Sequence, residues 1–268
     1  MTVAVDRAAS SPASTLPSRW RRVPLAVGVP LLVVVLAGSV VAAVMIGPVP
    51  IPASTVLQSI ASHLGLGTST AEPRLDGIAW DLRLPRVLTA AVCGMGLAGV
   101  GAVMQGVTRN PLADPYLLGL SSGASLGAVA VVALGIGAVG SPTLAIGAFI
   151  GATVAFAVVL AIASTGGRLP PVRTILAGVA IGELCAAATA FVTVSATDAQ
   201  ATRSLLVWLL GGFAGADWAG FVLSAVILAL FAVVICWYTR TLDALALGDD
   251  TAQTLGIDVH RSRRRLLI

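Results

Sequence analysis

Long apolar runs separated by short polar segments dominate the pattern of this chain. The runs cover residues 24–46, 86–108, 117–140, 142–165, 174–195 and 218–238. Each reaches or approaches the roughly 20 residues that a helix needs to cross the hydrocarbon of a bilayer. The predicted fold class is all-α: a polytopic transmembrane helical bundle with about six spans. One shorter segment follows another pattern. Between residues 52 and 64, Val56, Leu57, Ile60, Ala61 and Leu64 recur at helical spacing, with Ser54, Gln58, Ser59 and His63 opposite. That arrangement predicts an amphipathic helix lying on the membrane surface.

The stretch from Trp80 to Gly127 is less regular than an ordinary anchor. Arg83 and Arg86 lead straight into an uncharged span, which breaks at the polar segment 109–115, RNPLADP, containing Asn110 and Pro111. Irregular backbone at membrane depth is tolerated mainly where protein or cavity water satisfies it, so the break suits a bundle that carries a solute. Beyond it, glycine recurs every fourth residue at Gly119, Gly123 and Gly127, with Gly135 two turns on; Gly147/Gly151 and Gly178/Gly182 are further pairs. Small residues at this spacing let helix backbones approach closely where lipid offers no hydrophobic driving force. Isolated pairs arise by chance in any chain rich in Ala and Gly, so the long series carries the signal.

Composition agrees with a membrane protein. Hydrophobic residues make up 57% and charged residues 10%, against about 25% charged in soluble domains. All 16 basic residues are arginine, scattered through short loops, so the net charge of +4 does not describe a nucleic-acid surface. Residues 1–23 read as a disordered cytoplasmic tail ahead of a membrane domain over 24–268. The first apolar run is too long for the roughly 7–15 residues of a cleaved signal peptide and is read as a retained span. With the N-terminus cytoplasmic and alternating spans, twelve arginines fall inside and four outside: Arg74, Arg83, Arg86 and Arg203. That asymmetry obeys the positive-inside rule and leaves Arg83 and Arg86 needing a reason. Cys93, Cys185 and Cys236 each lie in an apolar run and read as buried free thiols. No residue pattern calls for a cofactor or a metal.

Chemistry-bearing side chains are few. Glu183 is the clear acid within a span, read first as a structural group pairing with Arg168, Arg173 or water, and otherwise as part of a pathway. Ser121, Ser122 and Ser125 have no base in reach, since His63 and His260 fall outside the spans, which argues against an intramembrane hydrolase. A secondary transporter is the remaining alternative, and the near absence of buried charge counts against it. Residues 242–260 form a cytoplasmic segment in which Gly248 and Gly256 bracket a short helix-compatible stretch, with Asp249 and Asp250 at its start. Exposed Ala252, Leu255 and Ile257 on so short a helix would make sense if they docked into another protein.

LRLPR ahead of an apolar span, followed by QGVTRNPLADPYLLGLSSGASLG, resembles the signature of the iron-siderophore/cobalamin permease family of ABC importers. The loop LGDDTAQTLGIDV is similar to that family's cytoplasmic coupling segment, and the order of spans agrees from residue 24 to 268. The resemblance implies a permease subunit paired with a second one, an ATPase subunit and an extracytoplasmic solute-binding protein, in a bacterial inner membrane. It implies that Arg83 and Arg86 dock the binding protein, and that Gly248, Asp249, Asp250, Ala252, Leu255 and Gly256 couple to the ATPase. It also implies that the span over 174–195, with Gly178, Gly182 and Glu183, lines the path. Ferric siderophores or related iron, haem or cobalamin compounds are the implied solutes. Without any lysine the chain holds no phosphate-binding GxxxxGK[ST] loop, so ATP chemistry belongs to a separate subunit. Such permeases have about ten spans, of which about six are expected here, and the chain is read as C-terminally truncated.

Overall fold

The computed structural model describes residues 24–67, 72–136, 142–164, 170–195 and 199–267. The expected tail at 1–23 lies outside them, as does Arg168. Every regular element among the described residues is helical. In chain order they are α1 (Leu25–Met45), α2 (Ala53–His63), α3 (Pro73–Gly77), a π-helical turn (Ile78–Arg83), α4 (Leu84–Thr108), a 3-10 turn (Pro115–Leu118), α5 (Leu120–Ala133), α6 (Pro142–Ala163), α7 (Pro171–Ser195), α8 (Ala199–Leu210), α9 (Trp218–Leu247), α10 (Asp249–Thr254) and α11 (Val259–Leu267).

Among the described residues five helices are long and apolar enough to cross a membrane: α1, the combined α3–α4 rod, α6, α7 and α9. The run over 117–140 is the exception. Its helix, α5, has 14 residues, about 21 Å at the ~1.5 Å rise of an α-helix and short of a full span. Gly135, expected to continue the packing series, instead lies beyond α5 at φ +67° with open space around it. It turns the chain.

The second span begins earlier than the apolar run implies. Proline inside a helix removes a hydrogen bond and crowds the carbonyl of the preceding turn, so a helix that continues through Pro85 needs an adjustment. Here a single π-helical turn just ahead of Pro85 shifts the ladder, and one continuous helix runs from Pro73 to Thr108. Arg83 and Arg86 therefore lie within a rod rather than on a leading loop.

α4 and α9 run parallel, because Gly96, Gly99 and Gly106 lie against Leu228, Phe231 and Leu242 in the same order. α5 and α6 run antiparallel, with Gly123 beside Gly151 and Gly127 beside Gly147. Apolar clusters close the two ends of the α4–α9 pair. Val44, Ile51, Val56, Ala79 and Leu84 pack at one end, and Ala244, Leu245, Ala252 and Val259 at the other. Met104, Ala113 and Leu118, with Phe156 against them, join α4 to the α5–α6 side. Outward-facing Leu32, Val34, Phe149, Val233 and Trp237 are exposed, as expected of spans that meet lipid.

α2 is a helix as predicted, with its two faces less cleanly divided than the pattern implies. Val56 and Ser59 are its buried residues, while Leu57 and Leu64 are exposed. Ile60 and Ala61 of the expected apolar face are partly buried, and of the expected polar face only Ser59 is buried; His63 stays exposed while its ring stacks on Trp80 at 4.1 Å. The three cysteines are free; Cys185 is buried, Cys93 partly so, and Cys236, expected to be buried, lies on the exposed face of α9.

Candidate functional site

The α3–α4 rod carries a different arginine arrangement at each end. At the Pro73 end, Arg83 reaches across to α1. Its Nη1 donates to the carbonyls of Val44 at 2.7 Å and Met45 at 3.3 Å, and its Nη2 donates to that of Val49 at 2.6 Å. A helix leaves its last carbonyls without intrahelical donors, and a guanidinium fork suits them in both charge and shape. Gly47 makes room for it, since a β-carbon there would fall 2.5 Å from Arg83 Nη2. Gly47 is not legible as a site residue in the sequence, because its neighbour lies far away along the chain.

Arg86 is different. Its Nε is buried without a hydrogen-bond partner among the described residues, as are Ser59 Oγ, Asp76 Oδ1 and Trp218 Nε1 at the same end. Buried polar atoms of folded proteins are usually paired, so this end holds unspent hydrogen-bonding capacity. Beside it His63, Trp80, Trp218 and Phe221 form a run of ring contacts joining α2, the π turn and α9.

At the Thr108 end the chain leaves α4 through Arg109, which adopts a left-handed φ of +51°. The following segment is a scaffolded turn rather than a break within a span. Asn110 Oδ1 accepts from Leu112 N at 2.9 Å, Gln105 Nε2 donates to the Pro111 carbonyl at 3.0 Å, and Asp114 Oδ1 caps the 3-10 turn through Tyr116 N at 2.8 Å. Asn110 and Pro111 thus shape the α4–α5 connection, and Pro111 is exposed.

α10 begins beside this turn. Asp249 accepts two bonds from Arg263 on α11, Nη1 to Oδ2 at 3.0 Å and Nη2 to Oδ1 at 2.8 Å. Arg109 Nη2 stands 3.4 Å from the same carboxylate. Arg263 Nε donates to the Val107 carbonyl at the end of α4, 3.1 Å away, and the residue is only 9% exposed. Counting arginines in loops treats Arg109 and Arg263 merely as positive charge, and no local period links residues 156 positions apart. Of the residues expected on a docking face, Leu255 is 62% exposed and Asp250 is also open, whereas Ala252 is fully buried against Leu245 and Val259, and Ile257 packs on that cluster. Ala252 is buried because α10 folds its apolar side back onto the end of α9. Gly248 at φ +121° and Gly256 at φ +80° make the bends on either side, conformations that L-residues rarely adopt.

The glycines of the middle segment meet one another. A β-carbon on Gly119 would lie 3.0 Å from the Gly178 carbonyl and 3.3 Å from Gly182 N; one on Gly123 would lie 2.8 Å from the Gly151 carbonyl. At Gly127 it would fall on the Gly147 carbonyl itself. Three predicted glycine groups are therefore a single interlocking contact among α5, α6 and α7. Glu183, one residue past Gly182, lies on the exposed face of α7 and forms no ion pair among the described residues. A cavity of about 400 Å³ between α5, α7 and α8 is lined by Ser121, Ser122, Ser125, Thr189 and Thr193. Thr189 and Thr193 donate back to their own helix, and no imidazole or carboxylate lines the cavity among the described residues.

Apolar helices of spanning length around a backbone-packed glycine contact describe a multi-pass membrane protein. The chain belongs to the FecCD transport family, whose sequence model matches residues 32–268. It is 35% identical over 229 residues to the cobalamin import system permease protein BtuC of Halobacterium salinarum, covering 84% of this chain and 58% of that one. It is 40% identical over 187 residues to the vitamin B12 import system permease protein BtuC of Escherichia coli, covering 69% of this chain and 56% of that one. The chain thus spans little more than half the length of these relatives. Its fold is similar to that of a solved structure described as an inward-facing conformation of a putative metal-chelate type ABC transporter, with a TM-score of 0.69 at 24% identity over 88% of this chain and 68% of the other.

Proposed function

We propose that this chain is the membrane-spanning permease subunit of a binding-protein-dependent ABC importer for cobalamin or a similar metal chelate, ferric siderophores and haem compounds included. Its N-terminus is cytoplasmic in this reading, the Arg83–Arg86 end faces outward and α10 faces the cytoplasm. The observation that carries the proposal is the arrangement of one unbroken helix with an arginine-bearing end and, at its other end, a short helix with an open Asp250–Leu255 face. A solute-binding protein docks at the outer end through half-buried Arg86, whose always-charged guanidinium suits a carboxylate. A separate ATPase subunit engages α10, and a second permease subunit completes the path. The chain supplies shape and coupling, while ATP hydrolysis occurs elsewhere. The relatives named for cobalamin favour a corrinoid over a siderophore as the first solute to try.

The test is uptake of radiolabelled cobalamin and ferric siderophore, side by side, into vesicles carrying the assembled transporter, with ATP inside and binding protein outside. Uptake of either solute that needs both ATP and binding protein is the expected result, with cobalamin the better substrate. Uptake driven by an ion gradient alone would overturn the reading in favour of a secondary transporter.

A further inference from the structure

The Arg109–Asp249–Arg263 cluster has a job that contact with an outside partner does not explain. Both oxygens of Asp249 are taken by Arg263, and Arg109 adds a third cationic contact. Arg263 simultaneously holds the Val107 carbonyl, so one guanidinium bridges the start of α10 and the last turn of α4. Lysine could not do this, since the geometry uses the planar fork and the Nε donor together. The backbone is bent to suit. Arg109 is the only described non-glycine residue with positive φ, and a β-carbon on Gly248 would lie 3.5 Å from Arg109 Nη1. Such conformations persist where the surroundings over-determine them.

We propose that Arg109, Asp249 and Arg263 form a latch that makes α10 and the end of α4 move as one body. Displacement of α10 is then delivered to a helix that runs unbroken past Arg86 and Arg83, about 38 Å away at the ~1.5 Å rise per residue. The inference rests on the reading of α10 as the ATPase contact. Within it Asp249 is a positioning residue, and contact with the ATPase falls to the exposed side chains of Asp250, Gln253, Thr254 and Leu255.

A double-mutant cycle on the assembled transporter tests the latch. Arg263→Ala and Asp249→Ala are each expected to lower uptake about tenfold, and the double variant no further, because each single change already opens the same link. The ATPase should still co-purify with all three. Arg263→Lys, which keeps the charge and serves if the alanine variants fold poorly, should lose nearly as much. Hydrogen exchange supplies a readout independent of the ATPase: in Arg263→Ala the α10 amides and those ending α4 should exchange faster, with mid-α9 unchanged. Losses that multiply to about a hundredfold in the double variant would overturn the latch, since independent sites add in free energy. So would unchanged exchange, or detachment of the ATPase by Asp249→Ala but not by Arg263→Ala. Leu255→Asp separates the two ideas. If it leaves the ATPase bound, the reading of α10 as its contact fails, whatever the exchange data say of the latch.

Discussion

The α5–α6–α7 block and the α4–α9 pair are both rich in glycine, yet they use it in opposite ways. In the block, glycine faces glycine, and at Gly123, Gly127 and Gly151 the backbones leave no room for a methyl group. In the pair, glycine faces a large side chain: Gly96 meets Leu228, Gly99 meets Phe231 and Gly106 meets Leu242. A cavity of about 330 Å³, lined among others by Val92, Val100, Ile227 and Phe231, remains between the two helices. The ends of α4 carry arginine contacts to other elements: Arg83 donates to carbonyls at the end of α1, and Arg263 on α11 donates to the Val107 carbonyl. Close backbone approach makes a part that moves as a unit. Side chains seated on glycine, with tethered ends, make a part that can shift while still transmitting force.

Substitutions can break this contrast, and the largest effect belongs in the block. Gly127→Val places branched carbons on the Gly147 backbone, which has nowhere to go. We expect a loss of about 3 kcal/mol and little monodisperse protein, read by size-exclusion profile and thermal unfolding in detergent. Arg83→Ala comes next: it strips three carbonyls of a charged donor, and the expected cost is about 2 kcal/mol in the same unfolding measurement. Equal stability of Arg83→Ala and wild type would show that the tether to α1 contributes nothing.

Gly99→Ala probes the middle of the pair. The new methyl would lie 2.9 Å from Phe231 Cε1, the far end of a side chain that can rotate into the adjoining cavity. A cost of about 1 kcal/mol or less is expected, and a loss matching that of Gly127→Val would erase the distinction between the two regions. Arg86→Ala should have the smallest effect on stability, within about 0.5 kcal/mol, because the side chain makes no hydrogen bond among the described residues. It should nevertheless weaken binding-protein affinity about tenfold, measured by titration against the reconstituted transporter. A stability loss without an affinity loss would move Arg86 from docking to architecture.

Much of the membrane architecture was legible because the bilayer imposes its demands locally. Hydropathy placed α1, α6, α7 and the start of α9 within a few residues, since each must be apolar over its own length. The glycine series was legible for the same reason: spacing along one helix determines which residues share a face. The exceptions have physical causes. α5 is shorter than its apolar run because Pro115 and Gly119 open it with a turn, and Gly135 follows its end. α4 starts earlier than its run because a π turn lets a helix continue through Pro85.

By itself, then, the sequence determined the order of the apolar helices, the glycine faces, and the two segments at which contact with other proteins is expected. Only the tertiary structure decided which glycine meets which, that Arg83 is tied to α1 while Arg86 is not, and that Asp249 and Ala252 look inward. The physical reason is the range of the interactions. Hydropathy and helical period are properties of consecutive residues. The partner of a guanidinium is whichever carbonyl or carboxylate the packing brings within about 3 Å, however distant in the chain.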